Sequence, residues 1–260
     1  MTEIKFGTDG WRAIIAQEYT TENVARVSIA VADWLIENFK NPSVVVGHDC
    51  RFAGELFAET TVKVLASQGI LVKIAKGFVS TPMVSLGVIK EAASLGVVIT
   101  ASHNPPSYNG YKLKGNFGGP LLQSDVIDVE SRIPEKNSID YTAISIEDLL
   151  AKKKVLYVDL EDMYCKHAEA HFDLDTIRGS DMSFAYDAMY GSGMGAVKRL
   201  LPNATFLHCD DNPGFLGTPP EPIHRNLQEF SDLIKKNNID CGLATDGDAD
   251  RIGLYDSKGR

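Results

Sequence analysis

The sequence predicts an α/β protein with parallel or mostly parallel sheets, divided into two successive domains. Short apolar runs of strand length alternate with longer segments in which apolar residues recur at helical spacing. That alternation is typical of βα units. The density of apolar residues falls over residues 115–150 and rises again afterwards. We therefore place one domain at residues 1–150 and a second at residues 151–260.

In the first domain, predicted helices and strands alternate from the first helix onward. Residues 21–39 and 54–67 carry apolar side chains at helical spacing, which predicts two amphipathic helices. Ser80 and Thr81 are cap residues and Pro82 suits a first helical turn, so a third helix begins there. Short apolar runs predict buried strands at residues 44–46, 70–75, 95–99 and 111–113.

The polar stretch at 115–150 contains a turn, a short helix and a connector, with a helix cap at residues 145–148. The second domain repeats the alternation, with helices predicted at 160–172, 195–201 and 227–236 and strands at 182–189, 204–208, 241–244 and 252–255. The chain then stops after a predicted hairpin turn at 256–260 that has no returning strand. We expect an incomplete second domain whose exposed sheet edge offers a surface for self-association.

Composition and charge narrow the classes of function. The 260 residues carry a net charge of −9 and no basic stripe, which argues against a nucleic-acid partner. The four scattered cysteines include no C-x-x-C pair, so neither disulfides nor a cysteine zinc site is indicated. The first residues lack an apolar signal core, and no apolar run approaches the roughly 18 residues of a membrane helix. We expect a cytoplasmic protein that does not enter a membrane.

Residues 100–112 are the most informative segment of the chain. The apolar run at 95–99 leads directly into them and suits a buried strand. The prolines at 105–106 exclude a helix, and Asn109-Gly110 predicts a tight turn. Ser102 is therefore expected on a stiff loop at the end of a strand, where open α/β sheets place their chemistry.

The residues around Ser102 favour a serine that carries a phosphoryl group. A serine hydrolase is disfavoured because no G-x-S-x-G elbow is present, and His103 adjoins the serine too closely in sequence to act easily as its base. Lys112 and nearby backbone N–H groups could instead offset a phosphate charge of about −1.5 to −2. On spacing alone, an ordinary strand-to-turn loop stays an equally good alternative.

A second segment, Asp246-Gly247-Asp248-Ala249-Asp250-Arg251, follows the predicted strand at 241–244. Three carboxylates at alternate positions are hard oxygen ligands, which select Mg²⁺ or Ca²⁺ over zinc. An EF-hand is excluded because its sixth and twelfth positions hold Arg251 and Ser257 in place of glycine and glutamate. Arg251 beside a metal suits a site that also binds phosphate, while a solvated acidic turn is the alternative.

A glycine-rich segment at 191–196 satisfies the pattern G-x-G-x-x-A between a predicted strand and a predicted helix. Asp210 lies about 20 residues further on, as a dinucleotide-binding fingerprint requires. The preceding strand carries Asp187 and few branched apolar residues, which favours a tight structural turn.

His167 and His171 lie four residues apart on a predicted helix, with Glu169 between them. This order differs from H-E-x-x-H, and the sequence offers no evident third ligand. Exposed helix histidines are therefore a better interpretation than a metal site.

Taken together, three segments resemble motifs of the α-D-phosphohexomutase superfamily, which includes phosphoglucomutases, phosphomannomutases and phosphoglucosamine mutases. FGTDGWRAII at 6–15 is similar to the amino-terminal motif of that family, TASHNPPSYNGYKL at 100–113 to its phosphoserine loop, and DGDADRIG at 246–253 to its Mg²⁺ loop. A weaker match, YDAMYGSG at 186–193, resembles the structural turn that opens the second domain. The resemblance implies three-layer α/β domains with mixed, mostly parallel sheets.

The resemblance also implies a chemistry for these residues. Phospho-Ser102 would donate its phosphoryl group to a hexose monophosphate, and the resulting hexose 1,6-bisphosphate would return its other phosphoryl group to Ser102. One Mg²⁺ ion would be held by the phosphoserine and three carboxylates, those of Asp246, Asp248 and Asp250. Four further residues match active-site positions of the family, with the lysine as the proton-transfer candidate: Arg12, His103, Lys112 and Arg251.

The resemblance further implies that parts of the family enzyme are missing here. Family members are nearly twice as long, with a third domain for the sugar hydroxyls and a fourth for the non-reacting phosphate, and neither motif occurs in this sequence. We therefore expect an amino-terminal half with little or no mutase activity of its own. Two alternatives stay open, a non-catalytic metal- and phosphosugar-binding module and a dinucleotide-dependent dehydrogenase that uses residues 191–196.

Overall fold

The computed structural model describes residues 3–7 and 9–260. Within these ranges the helices are α1 (Thr21–Asn38), α2 (Gly54–Ser67), α3 (Thr81–Lys90), α4 (Gln123–Ser131), α5 (Ile146–Ala151), α6 (Leu160–His171), α7 (Leu174–Arg178), α8 (Met194–Leu200) and α9 (Gln228–Asn237). The strands are β1 (Trp11–Ile14), β2 (Ser43–His48), β3 (Leu71–Ala75), β4 (Leu95–Ile99), β5 (Tyr108–Gly115), β6 (Val155–Val158), β7 (Phe184–Asp187), β8 (Thr205–Leu207), β9 (Cys241–Thr245) and β10 (Ile252–Asp256).

The first sheet has six strands in the order β1-β5-β4-β2-β3-β6. Strands β2, β3, β4 and β6 run parallel, while β5 pairs antiparallel with both β1 and β4. Apolar side chains of α1 and α2 pack on one face of this sheet, and those of α3 and α6 pack on the other. The first domain is therefore a three-layer α/β unit with a mixed, mostly parallel sheet, as predicted.

The second sheet has four strands in the order β10-β9-β7-β8. Strand β7 is parallel to β8 and β9, and β10 is antiparallel to β9. Neighbouring residues of β7 point to opposite faces, so Ala185 packs with Phe230 and Ile234 of α9, whereas Tyr186 packs with Met194 of α8. Strand β10 forms one edge of this sheet, and self-association through it stays a prediction.

Strands β1 and β6, each of four residues, were not predicted. Strand β6 follows the predicted boundary at residue 150, yet it pairs with β3 in the first sheet. The two sheets therefore divide between β6 and β7. The division of the chain into domains at residue 150 stays a prediction.

The predicted tight turn at Asn109-Gly110 is wrong, because both residues lie inside β5. Gly110 pairs with Arg12 of β1, and its carbonyl oxygen accepts a hydrogen bond of 2.9 Å from the N–H of Thr100. A Cβ atom at Gly110 would lie 2.5 Å from Thr100 O and 2.7 Å from Trp11 O. The glycine thus permits close backbone packing beneath the serine loop, and it does not reverse the chain.

None of the helices in the described ranges combines the length and the apolar content needed to cross a bilayer. The four cysteines, all within those ranges, are free.

Candidate active site

Ser102 lies three residues beyond β4 and is completely buried. Its backbone is in the left-handed region, with φ at 54°. The Ser102 N–H donates to Thr100 Oγ1 at 2.8 Å. Its hydroxyl donates to Asp246 Oδ2 at 2.6 Å, so the serine loop of the first domain meets the acidic loop of the second.

The acidic loop at 246–250 joins β9 to β10 and gathers its three carboxylates at one point. Oxygen atoms of Asp246, Asp248 and Asp250 all lie within 4.8 Å of one another. The backbone N–H groups of Asp250 and Arg251 donate to Asp246 Oδ1, at 3.0 and 3.2 Å, which fixes that carboxylate. The second aspartate is also tied to the first domain, because Thr81 Oγ1 of α3 donates to Asp248 Oδ2 at 2.6 Å.

Lys112 joins the serine loop to these carboxylates. It lies on β5 opposite Val98 of β4, and its side chain is only 1% exposed. Its Nζ atom lies 2.8 Å from Asp248 Oδ2 and 2.9 Å from Asp250 Oδ2. Burial alone would lower the pKa of Lys112, but the charges of Asp248, Asp250 and Asp9 outweigh burial and raise it. Lys112 is therefore an ammonium cation in this arrangement.

The donor set fits a hard divalent cation. Asp248 Oδ1 is buried and has no hydrogen-bond partner within residues 3–7 and 9–260, although its other oxygen has two. Burial, and then the charge of Asp248, raise the pKa of Asp246. Carboxylates so close together need a cation, and all-oxygen ligands suit Mg²⁺ or Ca²⁺.

The remaining predicted residues, Arg12, His103 and Arg251, lie around this cluster. Arg12 donates to Asn104 Oδ1 at 2.7 Å and pairs with Asp9 at 3.2 Å. His103 is partly buried, and burial followed by the charges of Arg251 and Arg12 lowers its pKa. The structure therefore brings all eight predicted site residues to one region between the two domains.

Comparison with known proteins matches both halves of the chain to one family. The family model described as phosphoglucomutase/phosphomannomutase, alpha/beta/alpha domain I, matches residues 3–140, and the corresponding domain II model matches residues 162–259. The chain belongs to the phosphoglucomutase/phosphomannomutase family. The predicted resemblance to α-D-phosphohexomutases is confirmed.

Individual relatives agree with this assignment. A probable phosphoglucosamine mutase of Methanosphaera stadtmanae is 32% identical over 98% of this chain and 55% of its own length. A phosphoglucomutase of Neisseria meningitidis is 31% identical over 95% of this chain and 52% of its own. A crystal structure of a candidate phosphomannomutase from Thermus thermophilus covers 99% of this chain and 58% of its own, with 34% identity and a TM-score of 0.90. The chain thus spans about half the length of the curated relatives it matches.

In this phosphohexomutase-family chain, the glycines at 191–195 pack against protein atoms. A Cβ at Gly191 would lie 2.6 Å from Asp246 O and 3.0 Å from Gly247 Cα. A Cβ at Gly195 would collide with the carboxylate of Glu161. These close approaches favour the structural-turn interpretation over a dinucleotide fingerprint, whose glycines should face a pyrophosphate.

Contacts within α6 explain its histidine pair better than a metal ion does. The rings of His167 and His171 lie 4.0 Å apart, and His171 Nδ1 is hydrogen-bonded to the carbonyl of His167 at 2.8 Å. Within the described ranges, the acidic loop alone groups three ligand side chains as a metal site requires.

Three further charged residues at this site were not predicted from the sequence. Asp9 lies between two predicted cations, with its Oδ2 atom 2.8 Å from Lys112 Nζ. Asp49 and Arg51 lie directly after β2, the strand that pairs with β4, and both are buried. The sequence signal for these two residues is a charged pair directly after a buried strand. Because neighbouring parallel strands end at the same edge of the sheet, such a pair is expected close to the loop that follows β4.

Proposed function

We propose that this chain carries the phosphoryl-transfer centre of a phosphohexomutase, which interconverts hexose 1-phosphate and hexose 6-phosphate through phospho-Ser102 and a hexose 1,6-bisphosphate. One observation carries the proposal, the hydrogen bond from Ser102 Oγ to an aspartate of a three-carboxylate cluster that also contacts a buried lysine. That arrangement supplies a nucleophilic oxygen, ligands for a cation and a fixed positive charge, the parts that phosphoryl transfer needs.

The residues that would hold Mg²⁺ are Asp246, Asp248, Asp250 and the phosphorylated Ser102. The unpartnered Oδ1 of Asp248 and the convergence of the carboxylates support this assignment. When bound, the ion would neutralise charge on the transferring phosphoryl group.

The transfer itself conserves groups and protons. The bond between phosphorus and Ser102 Oγ breaks as a bond forms between phosphorus and a sugar hydroxyl oxygen. The proton lost by that hydroxyl is matched by the one that Ser102 Oγ regains. We propose Lys112 for this proton transfer: its ammonium would give a proton to Ser102 Oγ and take up the proton that the sugar hydroxyl loses. Its Nζ atom contacts Asp248 and Asp250, in the same cluster whose Asp246 accepts the Ser102 hydroxyl. The return step repeats the exchange with the other phosphate of the bisphosphate.

An anionic substrate must find local cations, because the chain as a whole carries a net charge of −9. We propose that Arg12 and Arg251 provide them at the edge of the cluster, and that His103, whose pKa is lowered by burial and by these two arginines, offers the substrate a neutral hydrogen-bonding group. The relatives named above act, by their names, on glucosamine, glucose or mannose phosphates. We therefore propose a hexose phosphate as the substrate class, and a cytoplasmic location as predicted from the sequence.

Phosphopeptide mapping tests the assignment of Ser102. The chain is incubated with glucose 1,6-bisphosphate and Mg²⁺, and the modified peptide is identified by mass spectrometry. We expect one phosphoryl group on Ser102 and none on the Ser102→Ala variant. A phosphate on another residue would contradict the assignment. Mg²⁺-dependent binding of bisphosphate without any transfer would favour the non-catalytic binding module.

Turnover is a separate question for a chain of this length. In a coupled assay on glucose 1-phosphate with bisphosphate activator, we expect little or no mutase activity, because remote substrate contacts supply much of transition-state stabilisation. Turnover at the level of full-length relatives would contradict that expectation. Binding of NAD(P)H, followed by its fluorescence, would favour the dehydrogenase alternative.

A further inference from the structure

We infer that Arg51, oriented by Asp49, is a positioning residue that holds the backbone of the serine loop so that Ser102 Oγ faces the acidic cluster. The inference rests on the proposed function of Ser102. It assigns a role to a buried ion pair that lies outside the three sequence motifs.

The guanidinium of Arg51 has five N–H groups, and each has an acceptor. Its Nη2 atom donates to the carbonyl oxygen of Ser102 and, at 2.8 Å, to that of Asn104. Its Nη1 atom donates to the carbonyl oxygens of Pro105 and Tyr108, at 2.9 and 3.3 Å. Four of the five donors therefore bind one loop, from the reactive serine to the start of β5.

The fifth donor fixes the guanidinium itself. Arg51 Nε donates to Asp49 Oδ2 at 3.2 Å, and both side chains are completely buried. Asp49 Oδ2 also accepts from Thr100 Oγ1 at 2.6 Å, and that hydroxyl oxygen accepts the Ser102 N–H at 2.8 Å. The backbone of Ser102 is thus held at its N–H through Asp49 and at its carbonyl through Arg51.

Ser102 needs such support because its backbone is strained. A non-glycine residue at a φ of 54° lies in a sparsely populated region, which costs of the order of 1 kcal/mol and persists only where neighbouring groups enforce it. Two hydrogen bonds hold the backbone of Ser102 itself: Arg51 donates to its carbonyl oxygen, and Thr100 Oγ1 accepts from its N–H. Released from them, the serine would relax and its hydroxyl would leave Asp246.

The second domain packs against the Asp49–Arg51 pair and the loop that it holds, which together we call the clamp. The ring of Phe215 covers the guanidinium of Arg51, with 5.0 Å from Arg51 Cζ to the ring centroid. The backbone of Gly247, in the acidic loop, approaches the Ser102 carbonyl so closely that a Cβ there would lie 2.6 Å from that oxygen. The clamp therefore sets the position of the serine relative to the carboxylates of the other domain.

The test compares Arg51→Lys and Asp49→Asn with a matched control. Lysine keeps the charge of Arg51 but lacks the planar five-donor fork. Asparagine keeps the shape of Asp49 but leaves the arginine without its counter-ion. The control is Arg26→Lys, which changes another buried arginine whose Nε donates to the carbonyl of Pro134 at 2.7 Å, away from the serine loop. Thermal unfolding of each variant confirms that it is folded.

The first measurement is phosphorylation of Ser102 by glucose 1,6-bisphosphate with Mg²⁺. We expect the rate at saturating bisphosphate to fall about 100-fold in Arg51→Lys, as for a misplaced reacting group, while the half-saturating concentration changes little. Arg26→Lys should keep the wild-type rate. Equal rates in Arg51→Lys and wild type, or an equal loss in Arg26→Lys, would overturn the inference.

The second measurement does not depend on phosphoryl transfer. Hydrogen exchange should become faster at the non-proline amides of residues 102–108 in Arg51→Lys and Asp49→Asn, and stay unchanged there in Arg26→Lys. If wild type accepts no phosphate, the proposed function fails, while faster exchange in these variants still supports the clamp. Unchanged exchange in both variants would overturn the clamp even if wild type is phosphorylated.

Discussion

Ser102 Oγ lies 2.6 Å from Asp246 Oδ2, although 144 residues separate the two in the chain. One follows a strand of the first sheet and the other follows a strand of the second. Neither loop holds the whole proposed centre. The loop after β4 supplies the serine but no carboxylate, and the loop after β9 supplies three carboxylates but no lysine. The contact between domains therefore creates the proposed centre, and changes at that contact give separate tests of its parts.

Mg²⁺ should stabilise the folded chain, and Asp248→Asn should remove that effect. A ligand that binds only the folded state at about 100 times its Kd adds about 2.7 kcal/mol to the free energy of unfolding. The amide lacks the charge of the buried carboxylate whose Oδ1 has no partner in the described ranges. The measurement is the change in Tm when Mg²⁺ replaces a chelator.

Asp240→Asn is the control for this prediction, because Asp240 is an exposed acceptor for Ser183 in the same domain. It should keep the full increase in Tm. An equal increase in Asp248→Asn would contradict the proposed ligand set.

Lys112→Met should lower the free energy of unfolding by about 3–5 kcal/mol in the absence of Mg²⁺, as removal of one partner from a buried ion pair does. The loss leaves Asp248, whose side chain is fully buried, without its ammonium partner. Denaturant unfolding measures the effect, and added Mg²⁺ should reduce it.

Lys235→Met serves as the matched lysine variant. Lys235 is half exposed and pairs with Asp232 at 3.3 Å, so its loss should cost at most about 1 kcal/mol. If both lysine variants lose the same stability, Lys112 does not neutralise the cluster as described.

Much of this site could be predicted from local sequence. Ser102 follows an unbroken apolar run, and Asp246, Asp248 and Asp250 alternate after another strand, so their placement at strand ends needed no long-range information. The order of helices and strands was predicted in the same way, because alternating apolar patterns report burial directly.

The remainder depends on contacts that no local pattern encodes. Gly110 has the sequence signature of a turn, but antiparallel pairing with β1 keeps it in a strand. Strand β6 was missed although all four of its residues are apolar, because nothing in that short run indicates that it pairs with β3 across the predicted domain boundary. The role of Arg51 depends on tertiary structure, because the serine loop packs over its side chain and brings four carbonyl oxygens within hydrogen-bonding distance.

His208 should make stability depend on pH. Its Nδ1–H donates to Asp187, with 3.0 Å to Oδ1, Glu229 lies 3.5 Å from Nε2, and the ring of Tyr190 packs beside it. The hydrogen bond with Asp187 raises the pKa of His208, although burial opposes it. Because the pKa is raised in the folded state, the stabilisation is complete below about pH 6.5 and is lost as pH rises through the folded value.

The measurement is urea unfolding between about pH 5.5 and about pH 8.5. His208→Gln should show a weaker fall in the free energy of unfolding over that range than wild type. His171→Gln, at the exposed end of α6, should behave like wild type. An identical pH dependence in His208→Gln and wild type would contradict the assigned role of the Asp187 contact.

Gly247→Ala should separate the serine loop from the acidic loop. The added methyl group would lie 2.6 Å from the carbonyl oxygen of Ser102 and 3.1 Å from Pro220, so one of the two loops must move. Overpacking of this kind costs about 1–3 kcal/mol. We expect a matching loss of stability in denaturant unfolding and slower phosphorylation of Ser102.

Gly214→Ala is the control, because the atom nearest to its added methyl group would be 3.6 Å away. It should change neither quantity, and normal phosphorylation in Gly247→Ala would show that the two loops need not touch for transfer.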